Sequence, residues 1–336
     1  ASPLPPPSSR RMPAMTHLLY GSPSEHLSIS FRARTTASKP LKTESGQALR
    51  PALVLTSRLR GGGVVSPTSV SSMASVVGAA GACTALHLFL GAWGVPQLLG
   101  RERWEEKMSP EDRESFVHDS VTSYFVSPLL VILYALAVRD LGGSLETRWE
   151  GGSTASRLGL AVHCGVTLYD YFFAFPLDST KGPVYYWHHG AVLLVFLPIL
   201  FTQRLQFFAS AAALVEATNP LVGSLQQIDR AKLREGDGRL CGVDWNAVFV
   251  AFGALLILSW PFIRLALLPA VLVLYIRDSG TYFGGDRPLH TVTRVLGTAC
   301  TVAIAFIWVL SCIWFADMVK IAWNELFGEK VDITRM

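Results

Sequence analysis

The chain has 336 residues, of which 50% are apolar and 16% are charged, and its formal net charge is +4. An ordinary globular domain carries about 25% charged residues. The deficit here falls in long runs that are almost free of charge, which a bilayer requires and a soluble core does not. The small positive charge comes without a stripe of Lys and Arg, which argues against nucleic acid as a partner.

The N-terminal segment, residues 1–72, differs in composition from the rest of the chain. It is rich in Ser, Arg and Pro, and its only acidic residues are Glu25 and Glu44. Such a segment cannot bury enough apolar surface to offset the entropy lost on ordering. The same composition is typical of an organellar transit peptide. We therefore predict that this segment is either disordered or a targeting signal.

Seven stretches after this segment are predicted to be transmembrane helices, because each is apolar over about 18 residues or more. The predicted spans are 75–99, 121–138, 158–176, 184–201, 205–226, 243–276 and 292–318. A straight helix over the sixth would be roughly 50 Å long, against about 30 Å for the hydrocarbon core. Pro261 and Pro269 can kink it, so we predict one long, kinked or tilted helix. The predicted fold class is an all-α transmembrane bundle of about seven spans, with a range of six to eight.

Polar side chains interrupt the third, fourth and fifth spans. Ionisable groups at bilayer depth are costly, and they usually face the interior of the bundle or a water-filled cavity. Within each span the polar positions follow helical spacing, so that they share one face. These positions are His163, Thr167 and Asp170; Tyr185, His188 and His189; and Glu216 and Asn219. The simplest explanation is that the three polar faces meet.

Two interpretations of this convergence stay open. The groups can hydrogen-bond one another as structural contacts, each worth about 1 kcal/mol or less. A site for a lipid head group explains better why so many titratable groups come together. A metal site is not predicted, because the adjacent His188 and His189 are poorly placed for chelation and HxxxH boxes are absent. The five scattered cysteines predict neither a zinc site nor a disulfide framework.

Several short elements follow one another in a characteristic order. They are Trp104, Ser115-Phe116-Val117-His118, Gly165-Val166-Thr167-Leu168-Tyr169-Asp170, His188-His189, Glu216-Ala217-Thr218-Asn219-Pro220, Arg264 and Trp314-Phe315 with Lys320. In these elements the chain resembles the TLC (TRAM–LAG1–CLN8) domain family, most closely its TLC-domain-containing branch and more distantly the ceramide synthases. On this basis we divide the chain into the N-terminal segment, a first span with its linker (73–103), a TLC domain (104–326) and a C-terminal tail (327–336).

The resemblance implies a multi-pass membrane protein with a central cavity and a role in phospholipid or sphingolipid composition. In ceramide synthases, paired histidines and nearby acidic residues serve acyl transfer from acyl-CoA to a sphingoid amine. Carried over, His188 or His189 would be the general base or transient acyl acceptor, oriented by Asp170 or Glu216. The implied lipid-binding residues are His163, Thr167, Tyr185, Asn219, Arg264 and His118. The His-Asp-x-Ser-Asp run of ceramide synthases is absent, which argues against ceramide synthesis.

Three functions are therefore kept. The first is membrane lipid homeostasis through lipid binding or regulation; the second is an acyl-CoA-dependent N-acyltransferase; the third is an accessory of trafficking or translocation. Membrane lipids are the expected partners, with acyl-CoA as co-substrate only for the enzyme, and no cofactor is expected. The oligomeric state is left open, a homodimer included. The expected location is the endoplasmic reticulum, with a plastid or other organelle membrane as the alternative. His87 and His290 are interpreted as structural.

Overall fold

The protein is described here by a computed structural model covering residues 67–177, 183–235, 239–240, 242–283 and 291–327. Most of the N-terminal segment, most of the C-terminal tail and His290 lie outside these residues. Within them the chain is almost entirely helical, as the predicted all-α class requires, and it contains one short antiparallel hairpin. The hairpin pairs β1 (Arg239–Leu240) with β2 (Val243–Asp244).

The α-helices follow one another along the chain with few interruptions. In order they are α1 (Pro67–Phe89), α2 (Val95–Leu99), α3 (Pro110–Asp119), α4 (Ser127–Leu141), α5 (Leu145–Glu150), α6 (Thr154–Tyr169), α7 (Phe175–Leu177), α8 (Pro183–Thr202), α9 (Gln206–Ala213), α10 (Asn219–Arg230), α11 (Trp245–Trp260), α12 (Leu267–Phe283) and α13 (Thr291–Phe327). Wider π-helical turns occur at Leu90–Gly94, Arg103–Lys107, Ser120–Val126, Asp170–Ala174 and Pro261–Ala266, and a 3₁₀ turn at Leu214–Thr218.

Six continuous helical stretches are long and apolar enough to cross a membrane. They are Val70–Leu99, Pro110–Leu141, Leu145–Leu177, Pro183–Thr202, Trp245–Phe283 and Thr291–Asn324. Large apolar side chains point outward from them, and Leu194, Leu258 and Val302 are each more than 60% exposed. Outward apolar surface of this extent is stable against lipid. The chain is therefore an integral membrane protein, and six predicted spans are confirmed.

The predicted fifth span, residues 205–226, is built differently from the others. It runs through α9, the 3₁₀ turn and α10, and most of α9 is buried by neighbouring helices. Pro220 has no N–H to bond the carbonyl of Glu216, which accounts for the break in the α-helix. The Ser153 N–H donates to Gln206 at one end of the segment (3.3 Å), and Arg230 pairs with Asp119 at the other. This segment therefore traverses the bundle as an interior, broken helix.

The predicted sixth span is one continuous helix, as expected, and it covers 39 residues from Trp245 to Phe283. The π-helical turn begins at Pro261, whose ring cannot continue regular α-helical hydrogen bonding. Arg264 lies in this widened turn and is only 6% exposed. The turn thus carries a guanidinium group into the interior of the bundle.

Small residues allow two close helix contacts beside the interior polar groups. A Cβ atom built on Gly165 of α6 would lie 2.6 Å from both Ala79 Cβ and the Val76 carbonyl of α1. A Cβ atom on Gly223 of α10 would lie 2.2 Å from Oγ of Ser123. Both distances are too short for any side chain, so glycine fixes the approach of these backbones.

Candidate functional site in the interior of the bundle

A cavity of about 500 Å³ lies inside the bundle. Its walls come from the turn after α3 and from α6, α8, α10, α11 and α13. All ten site residues predicted from the sequence line it, namely His118, His163, Thr167, Asp170, Tyr185, His188, His189, Glu216, Asn219 and Arg264. The polar faces of the third, fourth and fifth spans therefore meet, as predicted, while the roles of the individual residues stay predictions.

Asp170 is the centre of the polar cluster at one end of the cavity. Its carboxylate is 2% exposed, with Oδ1 2.9 Å from Nε2 of His118 and Oδ2 3.0 Å from Nδ1 of His189. One carboxylate thus orients two imidazole rings from different helices. Because Nδ1 of His189 faces Asp170, its Nε2 is the ring nitrogen left for a ligand in the cavity.

The cluster extends from His118 to a second carboxylate. Oδ1 of Asp119 lies 3.4 Å from Nδ1 of His118, and Asp119 also forms an ion pair with Arg230. Both members of that pair are less than 10% exposed. Charges buried this deeply are stable only when they are paired. Arg230, at the end of α10, therefore neutralises Asp119, the second carboxylate of the cluster around Asp170.

Arg264 forms a second hydrogen-bonded group of residues in the wall of the cavity. Its Nε donates to Oγ1 of Thr218 (2.8 Å), and its Nη2 donates to Oδ1 of Asn219 (3.0 Å). The Asn219 amide donates in turn to Oε2 of Glu216 at 2.5 Å. The guanidinium also lies over the ring of Trp260, 4.5 Å from its centroid. The broken fifth segment and the π-helical turn are thus linked through one arginine.

The remaining predicted residues differ in how fully their polar atoms are engaged. Nδ1 of His163 lies 3.0 Å from the hydroxyl of Tyr134, and Thr167 donates to the backbone carbonyl of His163. Nδ1 of His188 is buried, and no group in the described part of the chain hydrogen-bonds to it. Its ring faces that of Trp314 at 6.4 Å. His188 therefore has a polar atom available to a ligand.

Apolar side chains complete the cavity beside this polar cluster. They come mainly from α11 and the second half of α13, and include Phe249, Val250, Ala254, Leu256, Ile257, Trp314, Met318 and Ile321. Among the described residues, His, Cys, Asp and Glu do not form a group suited to a metal ion. A cavity with a charged, hydrogen-bonding end and an apolar wall matches an amphipathic molecule.

Comparison with protein families decides the identity of this bundle. The TRAM_LAG1_CLN8 family model, which describes the TLC domain, matches residues 77–320. The chain belongs to the TLC domain family. No curated protein and no solved structure matched the chain. The matched region contains all ten predicted site residues, and membership supports a membrane protein with a lipid-related function.

Two charged residues of this TLC-domain protein were not among the predicted site residues. Asp119 and Arg230 both line the cavity and form its buried ion pair. Arg230 lies eleven residues after Asn219, about three helical turns along the same face, so extending the polar pattern of this segment to its end would have found it. Asp119 follows His118 directly, but the sequence shows no partner for it.

His87 lies outside the cavity and was interpreted as structural. Its Nδ1 lies 2.6 Å from the hydroxyl of Tyr169 and its Nε2 lies 3.0 Å from Glu114. The ring of Tyr169 stacks on that of His118 at 5.9 Å. His87 is thus a hydrogen-bonded residue of the interior that supports one neighbour of the polar cluster.

Proposed function

We propose that this TLC-domain protein binds a membrane lipid in its interior cavity and thereby acts in membrane lipid homeostasis. The observation that carries the proposal is the continuity of one cavity from the cluster around Asp170 to the apolar wall of α11 and α13. A lipid is the abundant membrane component with that distribution of polarity. Its head group would lie among His118, His188 and His189, and its acyl chains along the apolar wall.

The charges of the site favour a head group that both donates and accepts hydrogen bonds. The carboxylates of Asp170 and Glu216 offer acceptors, Arg264 offers donors, and the imidazole of His188 offers a donor or an acceptor. Phospholipids and sphingolipids both meet this requirement. The resemblance to lipid-active members of the family supports the same two classes and a location in the endoplasmic reticulum. A plastid or other organelle membrane is the alternative location.

Quantitative lipid mass spectrometry of the purified protein tests this proposal. We expect the wild-type chain to retain lipid through purification in mild detergent, and His189→Ala to retain several-fold less. In cells, expression of the wild-type chain should shift the phospholipid or sphingolipid profile, and His189→Ala should not. Asp140→Asn is the matched control, because Asp140 lies in an exposed ion pair with Arg139 outside the cavity. Equal lipid retention by wild type and His189→Ala would refute the proposal.

Acyl transfer from acyl-CoA is the second candidate, favoured by the pairing of His189 with Asp170. In this reaction the amine nitrogen of an acceptor attacks the thioester carbonyl, a C–N bond forms, and the C–S bond breaks. His189 would remove the proton from the amine and deliver it to the departing CoA thiolate. Purified protein with radiolabelled palmitoyl-CoA and sphinganine tests this candidate. Formation of labelled amide that His189→Ala abolishes would support it, and absence of product would exclude this acceptor.

A further inference from the structure

The helices α11 and α13 form a cleft that is closed at one end. Nε1 of Trp260 donates to the carbonyl of Ser311 (3.0 Å), and Nε1 of Trp308 donates to the carbonyl of Leu265 (3.3 Å). These two bonds join the helices near the middle of their apolar length. On the side of Trp260 toward the start of α11, both helices turn mainly apolar residues to the cavity, and Asp317 of α13 is the charged exception.

Some of the residues that line the cavity in this cleft are highly exposed. Val250 lines the cavity and is 59% exposed, and Ala254 likewise lines the cavity and is exposed. Phe249 and Leu256, on the same part of α11, are buried. We infer an opening at this part of α11 from the high exposure of these cavity-lining residues. Since α11 belongs to a membrane-spanning stretch, an opening between α11 and α13 would face the hydrocarbon of the bilayer.

Gly253 occupies the middle of the cleft. A Cβ atom built there would meet no protein atom within 4 Å. Helical spacing places Gly253 on the same face as Phe249, Ile257 and Trp260, all of which line the cavity. In an otherwise closely packed bundle, the missing side chain leaves room that no neighbour fills.

We propose that this cleft is a lateral entrance that takes one acyl chain of a bilayer lipid, and that Gly253 sets the room available to that chain. The proposal rests on the lipid-binding function proposed above. It adds the route by which the lipid enters the cavity and the residue that selects the length of its acyl chain. An acyl chain fits the cleft because most of the surrounding residues are apolar, and because an opening on a membrane-spanning helix would face hydrocarbon. The polar cluster around Asp170 lies at the inner end, where the head group would be held.

Substitution at Gly253 should change which lipids are retained without disturbing the fold. Each methylene group of the acyl chain that can no longer be buried in the cleft weakens binding roughly fourfold. Gly253→Leu, which displaces about two methylenes, should therefore weaken binding of long chains roughly 15-fold. Gly253→Ala should shift the retained chains toward shorter lengths, and Gly253→Trp should abolish retention. Gly81→Leu is the matched control, because Gly81 is exposed on α1 and equally free of neighbours.

The experiment measures the amount and chain length of all lipids that copurify with each variant, together with its elution volume and melting temperature. Loss or shortening of retained chains in the Gly253 series, with Gly81→Leu as wild type, would support the proposal. Unchanged lipid in folded Gly253→Leu or Gly253→Ala would overturn it. If His189→Ala lost the bound lipid while Gly253→Trp retained it, the proposed entrance would be refuted but the lipid-binding function would stand. A wild-type chain that retains no lipid would refute the proposed function and, with it, the entrance.

Discussion

Nδ1 of His189 lies 3.0 Å from Oδ2 of Asp170, so a histidine of α8 and a carboxylate at the end of α6 are joined inside the membrane. The other oxygen of the same carboxylate contacts His118. Removing one partner from a buried ionic contact costs about 3–5 kcal/mol. We expect Asp170→Ala to lower the free energy of unfolding by about that amount, measured by SDS titration in mixed micelles. Asp170→Asn should lose less, because its amide oxygen still accepts one hydrogen bond.

The control for this measurement is Asp140→Asn. The side chains of Arg139 and Asp140 are 72% and 40% exposed, and such surface pairs contribute about 0–1 kcal/mol. A loss at Asp140 equal to that at Asp170 would contradict a special role for the buried carboxylate.

The ion pair of Asp119 and Arg230 predicts strong coupling between two helices. Either Asp119→Asn or Arg230→Gln leaves the opposite charge buried without its partner, and each should cost about 3–5 kcal/mol. The double variant should cost clearly less than the sum of the single variants, because neither uncompensated charge then remains. A double-mutant cycle of unfolding free energies measures this coupling. Additive losses would show that the pair does not interact in the membrane.

The close approach of α1 and α6 at Gly165 predicts opposite effects for two glycine-to-alanine substitutions. In an unhindered helix, alanine is more stable than glycine by about 0.5–1 kcal/mol. At Gly165 the added methyl would collide with Ala79 and the Val76 carbonyl, and overpacking of this kind costs about 1–3 kcal/mol. We expect Gly165→Ala to destabilise the protein and Gly81→Ala to be neutral or stabilising. Equal melting temperatures for the two variants would contradict the observed packing.

Nδ1 of His188 has no hydrogen bond within the described residues, which predicts that His188 matters for lipid binding but little for stability. Truncation at His188 removes no hydrogen bond at Nδ1 within the described residues, so His188→Ala should change the free energy of unfolding by less than about 1 kcal/mol. If His188 contacts the lipid, the same variant should retain several-fold less lipid. Parallel measurement of unfolding and retained lipid checks both expectations. A stability loss like that of Asp170→Ala would instead make His188 a structural residue.

The spans were predictable because apolar length and the absence of charge depend only on local sequence. The long helix with Pro261 was predicted as one unit, and the structure confirms it. The break at Glu216 was not predicted, although Pro220 four residues later was its visible cause. That break and the burial of the segment follow from contacts with other spans, which a hydropathy pattern does not contain.

The cavity was predictable in part for a related reason. Helical spacing correctly grouped His163, Thr167 and Asp170 on one face. It did not show that Asp119 would pair with Arg230, because the sequence fixes neither the rotation of one helix against another nor their relative height. The π-helical turns at Ser120–Val126 and Pro261–Ala266 add to the difficulty, since an extra residue in a turn rotates every later side chain relative to the regular period.

The interior fifth segment has a consequence for the topology of the whole protein. Six helices of the described residues are long and apolar enough to cross the bilayer, and this interior segment, if it is a further crossing, makes their number odd. With an odd number of crossings, we expect Pro67 and Phe327 to lie on opposite faces of the membrane. A protease confined to one compartment would therefore reach a cleavage site engineered beside only one of these two residues.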